Sequence, residues 1–329
     1  MALDLHACAL CPRRCTSDRG AGVSGVCGET DRVRLARAAL HLWEEPPISG
    51  DAGSGTVFFS GCPLKCFYCQ NREISLGKVG LEVSVERLAQ IFLEQQARGA
   101  LNINLVTPTH FVAQIVQALD LARSGRLPDP DNLPADFAGQ FKPNVLGLPV
   151  VYNTSGYENP EVIGELKGYV DIFLTDFKYA SPELAQKYSA ARDYPQAASA
   201  ALDAMYEVAG PYTLGTGVDG EEGVLQHGVV VRHLMLPGQL MDSKRVIDIL
   251  VAKPYVSDIC VSLMSQFTPL AGLELKYPEL GRTVSELEYD ELIDYALDLG
   301  IENSFMQEGG AAEESFIPSF DFEGVLKSS

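Results

Sequence analysis

Seven of the eight cysteines in this 329-residue chain lie within its first 69 residues, in two groups. The second group, Cys62-Pro-Leu-Lys-Cys66-Phe-Tyr-Cys69, has C-x3-C-x2-C spacing. Three thiolates from one short loop fit three corners of an iron–sulfur cube, which leaves one iron open to a small molecule. A structural zinc loop would require a fourth Cys or His, and none follows nearby. The first group is Cys8-Ala-Leu-Cys11-Pro-Arg-Arg-Cys15, with Cys27 following Gly20, Gly22 and Gly25. Its C-x2-C-x3-C-x11-C spacing closes a site with no vacancy, and the glycines permit the tight backbone of a knuckle. Four thiolates suit structural zinc and a second iron–sulfur cluster equally, and reduced free thiols are the plain alternative. His6 offers a substitute ligand, although a terminal histidine is more often solvated. Cys260, far from both groups, reads as a buried apolar residue.

These loops need a scaffold. Gly55-Thr-Val-Phe-Phe-Ser60-Gly61 reads as a buried strand ending at a glycine turn, which puts the three-cysteine loop at a strand's carboxyl end. Further strands are expected at Asn102–Val106, Leu148–Tyr152, Tyr169–Leu174, Gly228–Leu236, Ile259–Met264 and Ser304–Met306. Helices are expected at Val85–Arg98, Phe111–Arg123, from Asn159-Pro160 to Gly168, from Ser181-Pro182 onward, at Ser243–Ala252, and from a Thr283/Glu286 capping box to Leu299. Strands alternating with helices imply a parallel sheet wound in one sense. Residues 1–30 read as a small cysteine knuckle, Arg32–Trp43 as a lead-in, and 31–329 as the core with a C-terminal extension. Residues 124–147 form a Pro/Gly/Asp-rich excursion that reads as a surface insertion or a lid.

The strand, Gly61, the C-x3-C-x2-C run and Gln70-Asn71 resemble the signature loop of radical S-adenosylmethionine (SAM) enzymes. The resemblance covers residues ~40–310 and is nearest to pyruvate formate-lyase activating enzyme-like proteins. It implies a partial (βα)6 barrel in which Cys62, Cys66 and Cys69 bind a 4Fe–4S cluster whose open iron chelates S-adenosyl-L-methionine. It also implies that Tyr68 lies against the adenine, with loop packing as the plain alternative. The activity implied is that of an oxidoreductase. One electron cleaves the cofactor to methionine and a 5′-deoxyadenosyl radical, which abstracts hydrogen. The target suggested is a glycine of a partner enzyme, and a flavodoxin or ferredoxin is the electron donor.

Chemistry in such barrels sits where strands end. After the second strand, Thr107-Pro108-Thr109-His110 replaces the Gly-Gly-Glu motif usual in activating enzymes. Thr107 offers an acceptor, Thr109 a helix cap, and His110 either packing or proton transfer. Asn153-Thr154-Ser155 follows the third strand, and Asn153 matches a position that is often aspartate in relatives. Thr175-Asp176-Phe177-Lys178 resembles the Asp-x-Lys motif that relatives place beside the cofactor. Lys178 would be a cation for the methionyl carboxylate, and Asp176 an acceptor or a cation ligand. A surface salt bridge between them is the plain alternative. Arg232 matches a cofactor-reaching arginine, with pairing to Asp176 as its structural alternative. His233 reads as a packed strand residue. Gln266 stands where relatives have histidine, and Gln307 and Glu308 lie near the last strand.

Composition narrows the field further. The 46 % hydrophobic and 21 % charged content suits a soluble globular protein, and no apolar run reaches the ~18 residues of a membrane span. The amino terminus lacks a signal segment, so a cytoplasmic location is expected. A net charge of −19 disfavours nucleic acid and anionic membranes as partners. Two rival readings remain: radical SAM modification of a small molecule or peptide, and a non-enzymatic iron–sulfur or zinc protein.

Overall fold

The computed structural model describes residues 3–129, 142–217, 220–306 and 318–326. Gln307, Glu308 and the middle of the 124–147 excursion lie outside them. The strands are β1 Val33–His41, β2 Ser54–Phe59, β3 Leu81–Val83, β4 Ile103–Val106, β5 Val150–Thr154, β6 Ile172–Asp176, β7 Thr213–Thr216, β8 Glu222–Leu234, β9 Cys260–Met264 and β10 Ser304–Met306. The helices are α1 Pro46–Ser49, α2 Arg72–Ser75, α3 Val85–Ala97, α4 Val112–Arg123, α5 Pro160–Gly164, α6 Pro182–Ser189, α7 Tyr194–Ala209, α8 Leu240–Val251 and α9 Glu286–Asp298.

Sheet order is β10-β9-β8-β6-β5-β4-β2-β1-β3, with β7 pairing β8 off that path. Every pair from β2 to β10 along that path is parallel, while β1 runs antiparallel to β2 and to β3. Strands covered on both faces need apolar residues on both, and β2 and β4 are buried along their whole length. Among the described residues the sheet edges β10 and β3 do not pair, so the sheet stays open as a partial barrel. Leu10 from the knuckle and Val325 from the C-terminal stretch belong to the main apolar core.

Helix α3 shows how local sequence fixes an element. Ser84 caps it by accepting from the Arg87 amide at 3.1 Å, and Leu88, Ile91 and Phe92 are wholly buried. Truncating Phe92 to Ala would cost about 3–5 kcal/mol through lost transfer energy and the cavity left behind.

Several expectations shift. Arg32–Trp43 is not a lead-in, because Val33–His41 forms an antiparallel strand on β2. The α5 helix stops at Gly164, four residues before Gly168, and α8 starts three residues earlier than expected. The capping box of α9 uses Ser285 and Glu288, not Thr283 and Glu286, since the helix begins at Glu286 itself. Strand β8 begins at Glu222, because the hairpin with β7 extends it. Beyond β3, the C-terminal stretch takes over the β1 edge. The Ala38 amide donates to Glu323 O at 2.8 Å, the Phe322 amide donates to Ala36 O at 3.0 Å, and Arg37 pairs with Asp321 and Glu323.

Candidate active site

The signature loop leaves β2 through Gly61, whose φ is +81°. Any side chain there would be strained, and a Cβ would come within 2.5 Å of Glu29 Cγ and 2.9 Å of Cys27 O. The loop is pinned where the Phe67 amide donates to Tyr188 O at 2.9 Å and the Cys69 amide donates to Cys66 O at 3.2 Å. The Ser189 hydroxyl donates to Cys66 Sγ at 3.0 Å. Burial pushes the Cys62 thiol up to about 12 and raises Cys66 and Cys69 as well. Ligation requires each thiol to give up its proton. Among the described residues no three His, Cys, Asp or Glu side chains are gathered to hold a single ion. A cube does not ask for that, since it takes each thiolate on a different iron.

The loop forms one wall of a cavity of about 300 Å³ at the carboxyl ends of the parallel strands. Cys62, Cys66, Tyr68, Cys69, Thr107, Asn153, Ser155, Asp176, Lys178 and Arg232 all line it. Asp176, at the end of β6, sits between two cations. Arg232 Nε donates to its Oδ1 at 3.0 Å, and Lys178 Nζ donates to its Oδ2 at 2.5 Å. Burial raises the Asp176 pKa, but the two cations outweigh it and hold the carboxyl below its ordinary range. Each Asp176 oxygen thus accepts from one of the two cations. Burial disfavours charge on Lys178 and Arg232 too, yet the surrounding anions win and both stay protonated.

Arg232 spreads its fork further, donating from Nη2 to Asn153 Oδ1 at 2.6 Å and from Nη1 to Glu44 Oε2 at 3.4 Å. The in-barrel pairing weighed for Arg232 is thus present. The Lys178 ammonium opposes, without cancelling, the rise that burial imposes on the Cys66 and Cys69 thiols. The Ser155 hydroxyl is buried in the cavity wall without a hydrogen-bond partner among the described residues. Thr107 holds a left-handed φ of +59°, a costly conformation for a non-glycine residue, and its amide donates to Asn153 O at 2.8 Å.

Tyr68 is buried in the cavity wall, its ring edge-on to Phe267. Its hydroxyl joins a chain that runs through Tyr179 at 2.7 Å and Ser189 at 2.8 Å to Cys66. The remaining candidates scatter. Thr109 does not cap α4, which starts at Val112, and its hydroxyl donates to Glu158 at 2.5 Å. His110 is buried in the preceding turn against Ser60 O, and burial lowers its pKa to about 3, so it is a neutral packing residue. His233 is likewise packed, bonded to Phe177 O at 2.7 Å, and Cys260 is buried. His6 is exposed and paired with Asp18. Gln266 lines the cavity.

Sequence reasoning missed Trp43, Glu44 and Glu45, which follow β1. Trp43 and Glu44 line the cavity, and Glu44 accepts from Asn104 at 3.1 Å and Asn153 at 3.3 Å. Burial raises both glutamates, opposed by Arg232. The available signal was an aromatic-acid-acid-Pro-Pro run just ahead of the first parallel strand.

The sequence model of the Radical SAM superfamily matches residues 56–223, just over half of the chain. The chain belongs to the radical SAM superfamily. It is 25% identical over 305 residues to an uncharacterized protein of Methanocaldococcus jannaschii, covering 89% of this chain and 76% of that one. Among solved structures, it is similar to a domain of pyruvate-formate lyase-activating enzyme from Bacteroides vulgatus (14% identity, 49% of this chain, 82% of that one, TM-score 0.33). It is also similar to Streptococcus suis SuiB (11% identity, 78% of this chain, 48% of that one, TM-score 0.44). As a radical SAM enzyme it implies a 4Fe–4S cluster and S-adenosylmethionine as cofactors. The donor set fits them, with three thiols on one wall and cations, amide and an unsatisfied hydroxyl on the other. No helix among the described residues is long and apolar enough to cross a membrane.

Proposed function

We propose that this radical SAM enzyme abstracts hydrogen from a glycine of a partner protein, with a flavodoxin or ferredoxin as its electron donor. The observation that carries the radical chemistry is one cavity that joins the thiols of Cys62, Cys66 and Cys69 to the Asp176–Lys178–Arg232 cluster. When bound, the cluster and sulfonium cofactor supply a one-electron reductive cleavage and the hydrogen abstraction that follows it. The protein's residues do the rest. Cys62, Cys66 and Cys69 ligate. Lys178 presents its ammonium to an anionic group of the cofactor, and Asp176 holds it there. Arg232, itself held by Asn153 and Glu44, fixes that carboxylate's orientation. Thr107 and Ser155 offer polar atoms to the cofactor, and Tyr68, Phe267 and Leu64 exclude water from the cluster side. The choice of a protein glycine rests on the likeness to activating enzymes in the signature loop and the Asp176-x-Lys178 motif.

The test is anaerobic reconstitution with dithionite and S-adenosylmethionine, assayed for 5′-deoxyadenosine. Product above a Cys66→Ala control is expected, and none would remove the radical reading. The substrate is then read by mass spectrometry of candidate partner proteins. Oxygen-dependent backbone cleavage at a glycine supports the protein target, whereas intact proteins with a changed small molecule or peptide overturn it.

A further inference from the structure

The signature loop and its cavity leave the N-terminal cysteines unexplained. Cys8 and Cys27 are buried, and Cys11 and Cys15 are partly so. The Thr16 amide donates to Cys8 O at 3.0 Å, the Cys8 amide to Ser17 O at 3.2 Å and the Arg14 amide to Cys11 O at 3.0 Å, so one tight backbone knuckle carries Cys8, Cys11 and Cys15. Gly25 sits between two of the sulfurs. A Cβ there would stand 3.3 Å from Cys27 Sγ and 3.4 Å from Cys15 Sγ, so the knuckle keeps that space clear. The wholly buried Arg19 lies beside the group, donating to Glu29 O at 3.1 Å and Thr30 O at 2.5 Å, with one guanidinium nitrogen 3.8 Å from Cys8 Sγ. A buried cation held by carbonyls is the counter-charge that a tetrathiolate centre, with its net negative charge, requires.

This knuckle also grips the signature loop. The Cys62 amide donates to Cys27 O at 3.3 Å. Arg13, from the same knuckle, donates to Pro63 O at 2.9 Å and Leu64 O at 3.2 Å inside the loop. Its other nitrogen bonds reach Ser189 O at 3.1 Å and Ala190 O at 2.5 Å, at the end of α6, where the Ser189 hydroxyl meets Cys66 Sγ.

We propose that Cys8, Cys11, Cys15 and Cys27 form a closed thiolate site for one iron–sulfur cluster, whose loading braces the signature loop through Arg13 and the Cys27–Cys62 backbone bond. The site stands by itself, and its bracing role rests on the reading that the signature loop carries a cluster.

The full chain with Cys62, Cys66 and Cys69 all changed to Ala keeps the knuckle intact. After reconstitution with iron and sulfide it is expected to retain one cluster. Acid-labile sulfide with iron supports the cluster, and zinc without sulfide overturns it. A metal-free chain overturns the site. Should that variant not fold, the metal lost per chain between wild type and Cys8→Ser/Cys15→Ser reads the same quantity, and no loss overturns the site. Arg13→Gln leaves all seven thiols in place. Its signature-loop cluster is expected to be lost to a chelator roughly tenfold faster, the usual size of an outer-shell effect, with knuckle metal unchanged. Equal rates overturn the bracing. A wild type that holds knuckle metal but no signature-loop cluster would sink the proposed function and leave the site standing.

Discussion

The two ends of the parallel sheet each carry a cavity, and the two differ in what lines them. At the amino ends of the strands, about 390 Å³ is lined by residues including Leu101, Arg123, Pro149, Asp171 and His227. At the carboxyl ends, about 300 Å³ is lined by three thiols and a network of Asp176, Lys178, Arg232, Asn153 and Glu44. Parallel strands deliver their loops to the carboxyl end, so side chains from separate strands converge there and water is excluded around them. At the amino end the charges stay near the surface, as in the 3.9 Å His227–Asp171 pair, whose histidine is 59% exposed. Convergence of buried polar groups from several strands marks the working end.

The strongest way to break that contrast is to remove Arg232. In the Arg232→Met variant, Asp176 and Glu44 lose their shared cation while remaining enclosed. Breaking a buried ion pair in this way costs about 3–5 kcal/mol. Urea unfolding of the metal-free chain measures it, and a loss below 1 kcal/mol would mean that the upper network is no more demanding than the lower pair. Lys178→Met should act differently, because Asp176 retains Arg232 at 3.0 Å. Removing a charged hydrogen-bond donor from a bound ligand costs about 1.5–3 kcal/mol, so cofactor affinity should fall roughly 10- to 100-fold with the fold preserved. Equilibrium binding of S-adenosylmethionine to the cluster-loaded enzyme checks this. Unchanged affinity would reduce Lys178 to a structural partner of Asp176.

Most of the upper end was legible in the sequence because position along a strand carries the information. Buried parallel strands are short apolar runs, and Asp176, Lys178 and Asn153 stand where those runs stop. What escaped notice did so for physical reasons. The Val33–His41 strand mixes Arg34 and Arg37 into its pattern, because those side chains reach Glu29 and the C-terminal stretch instead of facing solvent. Helix α7, absent from the expected elements, carries Pro195 in its first turn, where the missing amide costs nothing. Glu44 and Glu45 enter the barrel from the loop after β1, which no strand-end rule points to. Thr109 was read as a cap because a carboxylate 49 residues away, Glu158, cannot be seen from local sequence.

Strand β8 places one histidine toward each end of the sheet, which gives the finest comparison. Burial lowers the pKa of His233 to about 4, only partly offset by its bond to Phe177 O. The folded protein holds it neutral while the unfolded chain, with a pKa near 6.5, takes up a proton first. Its contribution to stability is therefore complete above pH ~6.5 and is lost as pH falls toward ~4, amounting to about 2 kcal/mol by pH 5. The gap in stability between pH 7 and pH 5 should shrink by that order in His233→Gln, and an undiminished gap would show that the ring is hydrated in the folded state. His227, in contrast, is mostly exposed and meets Asp171 only at 3.9 Å. Asp171 does its structural work elsewhere, accepting the Val150 amide at 2.8 Å. His227→Ala should therefore change unfolding free energy by less than about 0.5 kcal/mol at pH 7 and leave 5′-deoxyadenosine formation unaltered. A loss of turnover in that variant without a loss of stability would move functional weight to the amino end of the sheet and undo the contrast between the two cavities.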